Sequence, residues 1–222
     1  MTLSEYEKNI KGSLAKYVRN RSQDARYTEL VLGLFEEVTE VTSPIRRTIK
    51  GSFHESKLDK EHLGEEIGDV FWYIAQISSQ LPGCSLEKVV KKNLEKTYMN
   101  FGSKFTWIDN PTIRQYTNTA KSTYRKSLPE SAEERVRFFC LGLIKEVGKV
   151  SELFGEHIID GKVLEGDILN LWKVEEKLGD ALWYLAAICE VNGLDLEEIA
   201  YKNTDKVRER YNTDGTVRHN DR

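Results

Sequence analysis

Four segments of the first half of the chain return in the second half, in the same order. Leu3-Ser4-Glu5-Tyr6 is answered by Ile113-Arg114-Gln115-Tyr116, and Gly33-Leu34-Phe35-Glu36-Glu37-Val38 by Gly142-Leu143-Ile144-Lys145-Glu146-Val147. Ile67-Gly68-Asp69-Val70-Phe71-Trp72-Tyr73 is answered by Leu178-Gly179-Asp180-Ala181-Leu182-Trp183-Tyr184. Leu86-Glu87 through Lys92-Asn93 and Lys96 is answered by Leu196-Glu197 through Lys202-Asn203 and Lys206. The offsets run from 109 to 111 residues, a drift that short loop insertions or deletions absorb. Self-similarity at a fixed long period means one structural unit used twice. The chain therefore divides into a unit over 1–101, a linker over 102–110, and a second unit over 111–222 whose polar tail begins after Tyr211.

Helical spacing fills the unit. Leu3, Tyr6, Ile10, Leu14 and Tyr17 recur on one face of a first helix, with Thr2 or Ser4 as its N-cap. A second helix is predicted from about Ala25 to Thr42, ended by Ser43-Pro44, because a proline disfavours the helical conformation of the residue before it. The stretch from there to about Lys57, with Gly51, Arg46, Arg47 and Lys50, reads as a surface loop. A third helix covers about Leu58 to Ser79, and a fourth about Ser85 to Asn100, capped by Ser85 and striped by Leu86, Val89, Val90, Leu94 and Met99. The expected fold is all-α: two tandem four-helix units packed as an intrachain pseudo-dimer, which the presence of only 4 prolines suits.

Acids sit beside the apolar seam of two of these helices. Glu37 and Glu40 share a face, as do Glu66 and Asp69, and Leu34, Val38, Ile67, Val70 and Phe71 flank them. Two charges about 5 Å apart repel by roughly 3 kcal/mol at an effective dielectric near 20. Several such pairs strain a domain, and a divalent cation relieves the strain. An all-oxygen donor set suits Mg2+, with Mn2+ as a substitute, and such ions commonly arrive with substrate phosphates. In the second unit Glu36, Glu40 and Glu66 become Lys145, Lys149 and Lys177, leaving Glu146 and Asp180 as the acids. An ammonium neutralises a carboxylate without metal, so one metal site per chain is expected. The second unit instead ends its fourth helix with Arg208 and Arg210, which could reach bound phosphates across the pseudo-twofold interface.

Together, Glu36-Glu37-x-x-Glu40, Glu66-x-x-Asp69-x-x-Trp72-Tyr73 and Lys92-Asn93-x-x-Lys96 resemble the MazG-like branch of the all-α nucleoside triphosphate pyrophosphohydrolases, once per half and over nearly the whole chain. The resemblance implies Mg2+-dependent hydrolysis of the α–β phosphoanhydride of an NTP or dNTP to monophosphate and pyrophosphate. It matches Glu37, Glu40, Glu66 and Asp69 to the family's metal ligands, and it implies a catalytically dead second copy. Single-copy relatives are commonly dimers or tetramers, which would make a homodimer of this chain a pseudo-tetramer.

The residues allow such chemistry, because phosphoryl transfer asks mainly for charge neutralisation and positioning. Glu36 is the spare acid that could orient or deprotonate water, while Tyr73, Lys92, Asn93 and Lys96 could hold base, sugar or phosphates. Trp72 recurs as Trp183 in the degenerate half and reads as core packing. A di-iron bundle needs Glu-x-x-His pairs, and His54, His62, His157 and His219 supply none. The alternative from another class is a non-catalytic metal-nucleotide-binding scaffold or sensor. Lys plus Arg number 33 against 36 acids, so no nucleic-acid polymer is expected as partner. No run suggests a membrane span and Met1 to Ile10 is polar, so no signal peptide is expected. Cys84, Cys140 and Cys189 lack CxxC spacing and read as reduced thiols of a cytoplasmic protein.

Overall fold

Thr2 and Thr112 do the same work at equivalent positions. Each accepts from the backbone N–H three residues on, Glu5 or Gln115, whose side chain returns the bond to the cap's own N–H. The helices they start, α1 (Leu3–Ile10) and α6 (Ile113–Ser122), are joined at these caps by an antiparallel bridge, with Leu3 N–H donating to Pro111 at 3.1 Å and Ile113 N–H donating to Met1 at 3.0 Å. The two units thus meet symmetrically at their own beginnings.

The computed structural model describes residues 1–14, 16–49, 56–100, 106–124, 128–160, 168–211 and 216. After α1 come α2 (Lys16–Arg19), α3 (Gln23–Arg47), α4 (Lys60–Gln80) and α5 (Leu86–Asn100); after α6 come α7 (Ala132–Asp160), α8 (Ile168–Asn192) and α9 (Leu196–Arg210). Among the described residues every named element is a helix, as the all-α reading requires, and no helix is long and apolar enough to cross a membrane. Lys50, Gly51 and His54 of the expected loop, residues 101–105 of the linker, and the tail after Tyr211 apart from Thr216 lie outside the described residues, as do the side chain of Tyr17 and His219.

Pro44 does not end its helix. α3 continues to Arg47 because Ile45, one turn after the buried Val41, is itself buried and draws the final turn onto the core. Only one bond of the ladder, from residue 44 back to Glu40, is forfeited, and it lies where the helix is about to finish. Ser85 does begin α5, accepting from the Lys88 N–H at 3.2 Å.

One hydrophobic core runs through both units. α3 lies on α4 and α7 on α8, but the fourth helices exchange: α9 packs on α4 and α5 on α8. Glycine permits this approach. A Cβ on Gly68 would stand 3.2 Å from both Asn203 and Ile199 of α9, and one on Gly179 would stand 2.8 Å from Asn93 of α5 and 2.9 Å from the Val89 carbonyl. The glycine between the third and fourth acids is therefore where the partner helix presses closest.

Candidate functional site

α3 and α4 bring the first-unit acids together. One carboxylate oxygen from each of Glu37, Glu40 and Glu66 falls within 4.8 Å of the others. Glu66 is buried, Glu37 half-buried and Glu40 exposed, so the group opens from the seam towards solvent. Burial first, then the charges of Asp69, Glu66 and Glu40, push the Glu37 carboxyl up to about 8. Glu66 is raised as well, by burial and by Glu40, against a lowering pull from His62, whose Nδ1 lies 3.2 Å away. Carboxyls crowded enough to retain their protons are groups that a cation among them would ionise and hold.

Asp69 is held from the other half of the chain. Asn203 Nδ2 donates to Asp69 Oδ1 at 2.9 Å, and the Lys206 ammonium pairs with Oδ2. Asn203 is itself fixed: its Oδ1 accepts from the buried Tyr6 hydroxyl at 3.0 Å, and the Tyr6 ring is stacked on Phe71 at 4.4 Å. Both ends of the amide are thus assigned by their partners.

The same crossing corrects the expected place of Lys92, Asn93 and Lys96. They do not meet the Glu37 group, because α5 carries them onto α8. Asn93 donates to Asp180 at 2.8 Å, Lys96 pairs with Asp180 and Glu176, and Lys92 pairs with Glu175. Their counterparts Asn203 and Lys206 occupy the first-unit site, although the sequence motifs do not select them. A signal exists. The second unit keeps Lys202-Asn203-x-x-Lys206 intact while losing three acids, as it would if that helix served the other unit.

Tyr73 is half-buried against α3, its ring filling the space over Gly33, where a Cβ would be 2.4 Å from it. Burial, then the charges of Glu37, Glu29 and Glu36, push its hydroxyl up to about 12. Glu36 is exposed and lies outside the three-carboxylate group. Arg208 is exposed and donates to Asn9 Oδ1 at 3.0 Å, and Arg210 lies 5.9 Å from the Tyr211 ring. Trp72 anchors structure, donating from its indole to Ser13 at 2.8 Å, as Trp183 does to Thr123 at 2.9 Å. His62 is exposed, and it is also the near neighbour of Glu66, one turn away on α4.

The equivalent point in the second unit is electrically inverted. Lys145 lies 2.9 Å from Glu146, and Lys149 and Lys177 lie 3.6 Å from its other oxygen. Burial opposes ionisation of Glu146, but the Lys145 hydrogen bond and the three ammonium charges outweigh it and hold the carboxyl below its ordinary value. The same residue type in the same frame is raised at position 37 and lowered at position 146.

A family model described as the MazG nucleotide pyrophosphohydrolase domain matches the chain twice, over residues 26–99 and 140–213. No curated protein and no solved structure matches it.

Proposed function

Because the chain belongs to the MazG nucleotide pyrophosphohydrolase family, we propose that its first-unit site hydrolyses the α–β phosphoanhydride of an NTP or dNTP, releasing monophosphate and pyrophosphate. The observation that carries this reading is the convergence of Glu37, Glu40 and Glu66, with Glu37 pushed up to about 8, where the second unit has lysines in place of Glu40 and Glu66. Those three carboxylates with Asp69 offer oxygen donors only, which fits Mg2+ and also Mn2+. When bound, the cation neutralises phosphate charge and acidifies a coordinated water.

The chain's own groups do the rest. Water adds to a phosphorus of the anhydride, the bond to the bridging oxygen breaks, and the water proton passes to a carboxylate. Glu36, one residue before Glu37 and exposed to solvent, is the acid assigned to orient that water and accept its proton. Lys206 and Asn203 position Asp69, Lys206 presents positive charge to the substrate's phosphates, and Arg208 and Arg210 lie further along the same helix for the outer phosphates. Tyr73, seated over Gly33 beside Glu37, meets the nucleoside. No nucleophilic side chain is required.

The test is pyrophosphate release from a panel of NTPs and dNTPs with Mg2+. Turnover by the parent chain that is lost in Glu37→Gln and Asp69→Asn supports the reading. Nucleotide binding without release in the parent chain would instead make the protein a metal-nucleotide sensor.

A further inference from the structure

Loss of the acids has not closed the second unit over. A cavity of about 710 Å3 opens at its inverted cluster, within the size range of nucleotide and cofactor pockets. Its apolar wall is Phe138, Leu141, Trp183 and Tyr184, with Phe138 and Leu141 respectively 45% and 69% exposed. Its polar side carries Asn93, Lys96, Lys145, Glu146 and Asp180.

Charge decides what such a cavity accepts. At seven equivalent positions the first-unit site has six acids (Glu36, Glu37, Glu40, Glu65, Glu66 and Asp69) and one ammonium, Lys206 from α9. The second-unit site has three acids (Glu146, Glu176 and Asp180) and four ammoniums, on Lys96 from α5 and on Lys145, Lys149 and Lys177. The excess of acids has become a surplus of one positive charge across these positions, of which Lys96, Lys145, Glu146 and Asp180 line the cavity itself. That surplus offsets part of the roughly −1.5 to −2 charge of one phosphate group and is far too small for a triphosphate.

One buried atom indicates what else the occupant carries. Glu146 Oε2 is an acceptor without a hydrogen-bond partner among the described residues, on a residue only 4% exposed that lines the cavity. Lys149 and Lys177 are its charge neighbours at 3.6 Å, beyond hydrogen-bond length. A buried acceptor whose ammonium neighbours stand just beyond hydrogen-bond length has room for a donor, and donors are what an exocyclic base amine or a sugar hydroxyl offers.

We propose that the second-unit cavity binds a nucleoside monophosphate without a divalent cation, its phosphate facing Lys96 and Lys145 and its base the aromatic wall. This assignment stands whether or not the first site hydrolyses nucleotides. It makes the degenerate copy a sensor for the class of product that the proposed reaction would release.

The experiment is titration calorimetry on the full chain carrying Glu37→Gln, in EDTA, with each common nucleoside monophosphate and with inorganic phosphate. Saturable uptake of at least one monophosphate, one per chain and weakened at least about tenfold by Lys145→Glu and separately by Lys149→Glu, is expected. Lys145 has a side chain that is 60% exposed, and melting curves verify that both variants fold. Absence of uptake at millimolar nucleotide, uptake indifferent to both substitutions, or inorganic phosphate binding as tightly as every nucleotide would each overturn the proposal.

Discussion

Asn203 donates to Asp69 across 134 residues of sequence, and Asn93 donates to Asp180 across 87. Each unit's acid is thus held by the other unit's fourth helix, and neither cluster is complete in its own repeat. Duplication followed by loss of acids in one copy therefore does not leave a spare half. α9 has to remain to serve the first-unit site even after its own unit's acids have gone.

The exchange predicts an asymmetry between two equivalent lysines. Removing a charge-assisted bond costs about 1.5–3 kcal/mol, or roughly ten- to hundredfold in rate if the group also meets substrate. Lys206→Ala is expected to lower kcat/KM for nucleotide hydrolysis by that much, whereas Lys96→Ala, whose ammonium serves Asp180, should stay within about threefold of the parent. Steady-state kinetics on the two variants decide, and equal losses would contradict the crossed assignment.

Stability without metal should fall as pH rises. The Glu37 carboxyl ionises near its ordinary 4.5 in the unfolded chain and only at about 8 in the folded one, so between those values the folded state holds more protons. Every tenfold difference in proton affinity between the two states is worth about 1.4 kcal/mol, and for a half-exposed group solvent screening reduces the total to about 2 kcal/mol lost between pH 4.5 and 8. Glu66 adds in the same direction. Glu146 and Glu176 are lowered and contribute only below about 4.5, outside that window. Melting temperatures measured in EDTA from pH 5 to 9 should decline, and millimolar Mg2+ should flatten the decline. A pH-independent melting temperature in EDTA would remove the electrostatic basis of the site.

Much of this architecture is legible in the sequence. Helical period and the repeat place two sets of four helices and pair Glu37 with Glu40 and Glu66 with Asp69, because local spacing fixes which side chains share a face; that Glu66 joins the first pair while Asp69 is held by Asn203 and Lys206 is a tertiary fact. Period does not say which neighbour a face is buried against, so it leaves Lys92, Asn93 and Lys96 with the acids of their own unit instead of with Asp180 and Glu175. Pro44 misleads for a related reason: its local penalty is real, but burial of Ile45 outweighs it and is a tertiary fact. His62 carries a local signal, Glu66 four residues on, which a pattern shared by all four histidines does not reveal.

Gly33 should be irreplaceable while Tyr73 is present. An alanine in the middle of a helix normally gains about 1 kcal/mol over glycine. At position 33 its Cβ would stand 2.4 Å from the Tyr73 ring, and forcing a packed ring aside costs about 1–3 kcal/mol. Gly33→Ala is expected to be destabilising by up to about 2 kcal/mol, and the same substitution made in a Tyr73→Ala chain to be neutral or stabilising. Chemical denaturation of the four chains gives the coupling directly, and additivity within about 0.5 kcal/mol would place the ring elsewhere.

The two units differ in charge at positions whose backbone frame they share, so charge alone should convert one site into the other. Lys145→Glu, Lys149→Glu and Lys177→Glu together restore the acids found at Glu36, Glu40 and Glu66 around a Glu146 that is 4% exposed. In EDTA the triple variant is expected to melt at a lower temperature than the parent, since carboxylates replace the ammoniums that now hold Glu146 ionised. With Mg2+ the melting temperature should recover, and calorimetric uptake of the ion per chain should double. Recovery without added uptake, or uptake unchanged from the parent, would mean that the second unit's frame, and not its lysines, is what keeps a divalent ion out.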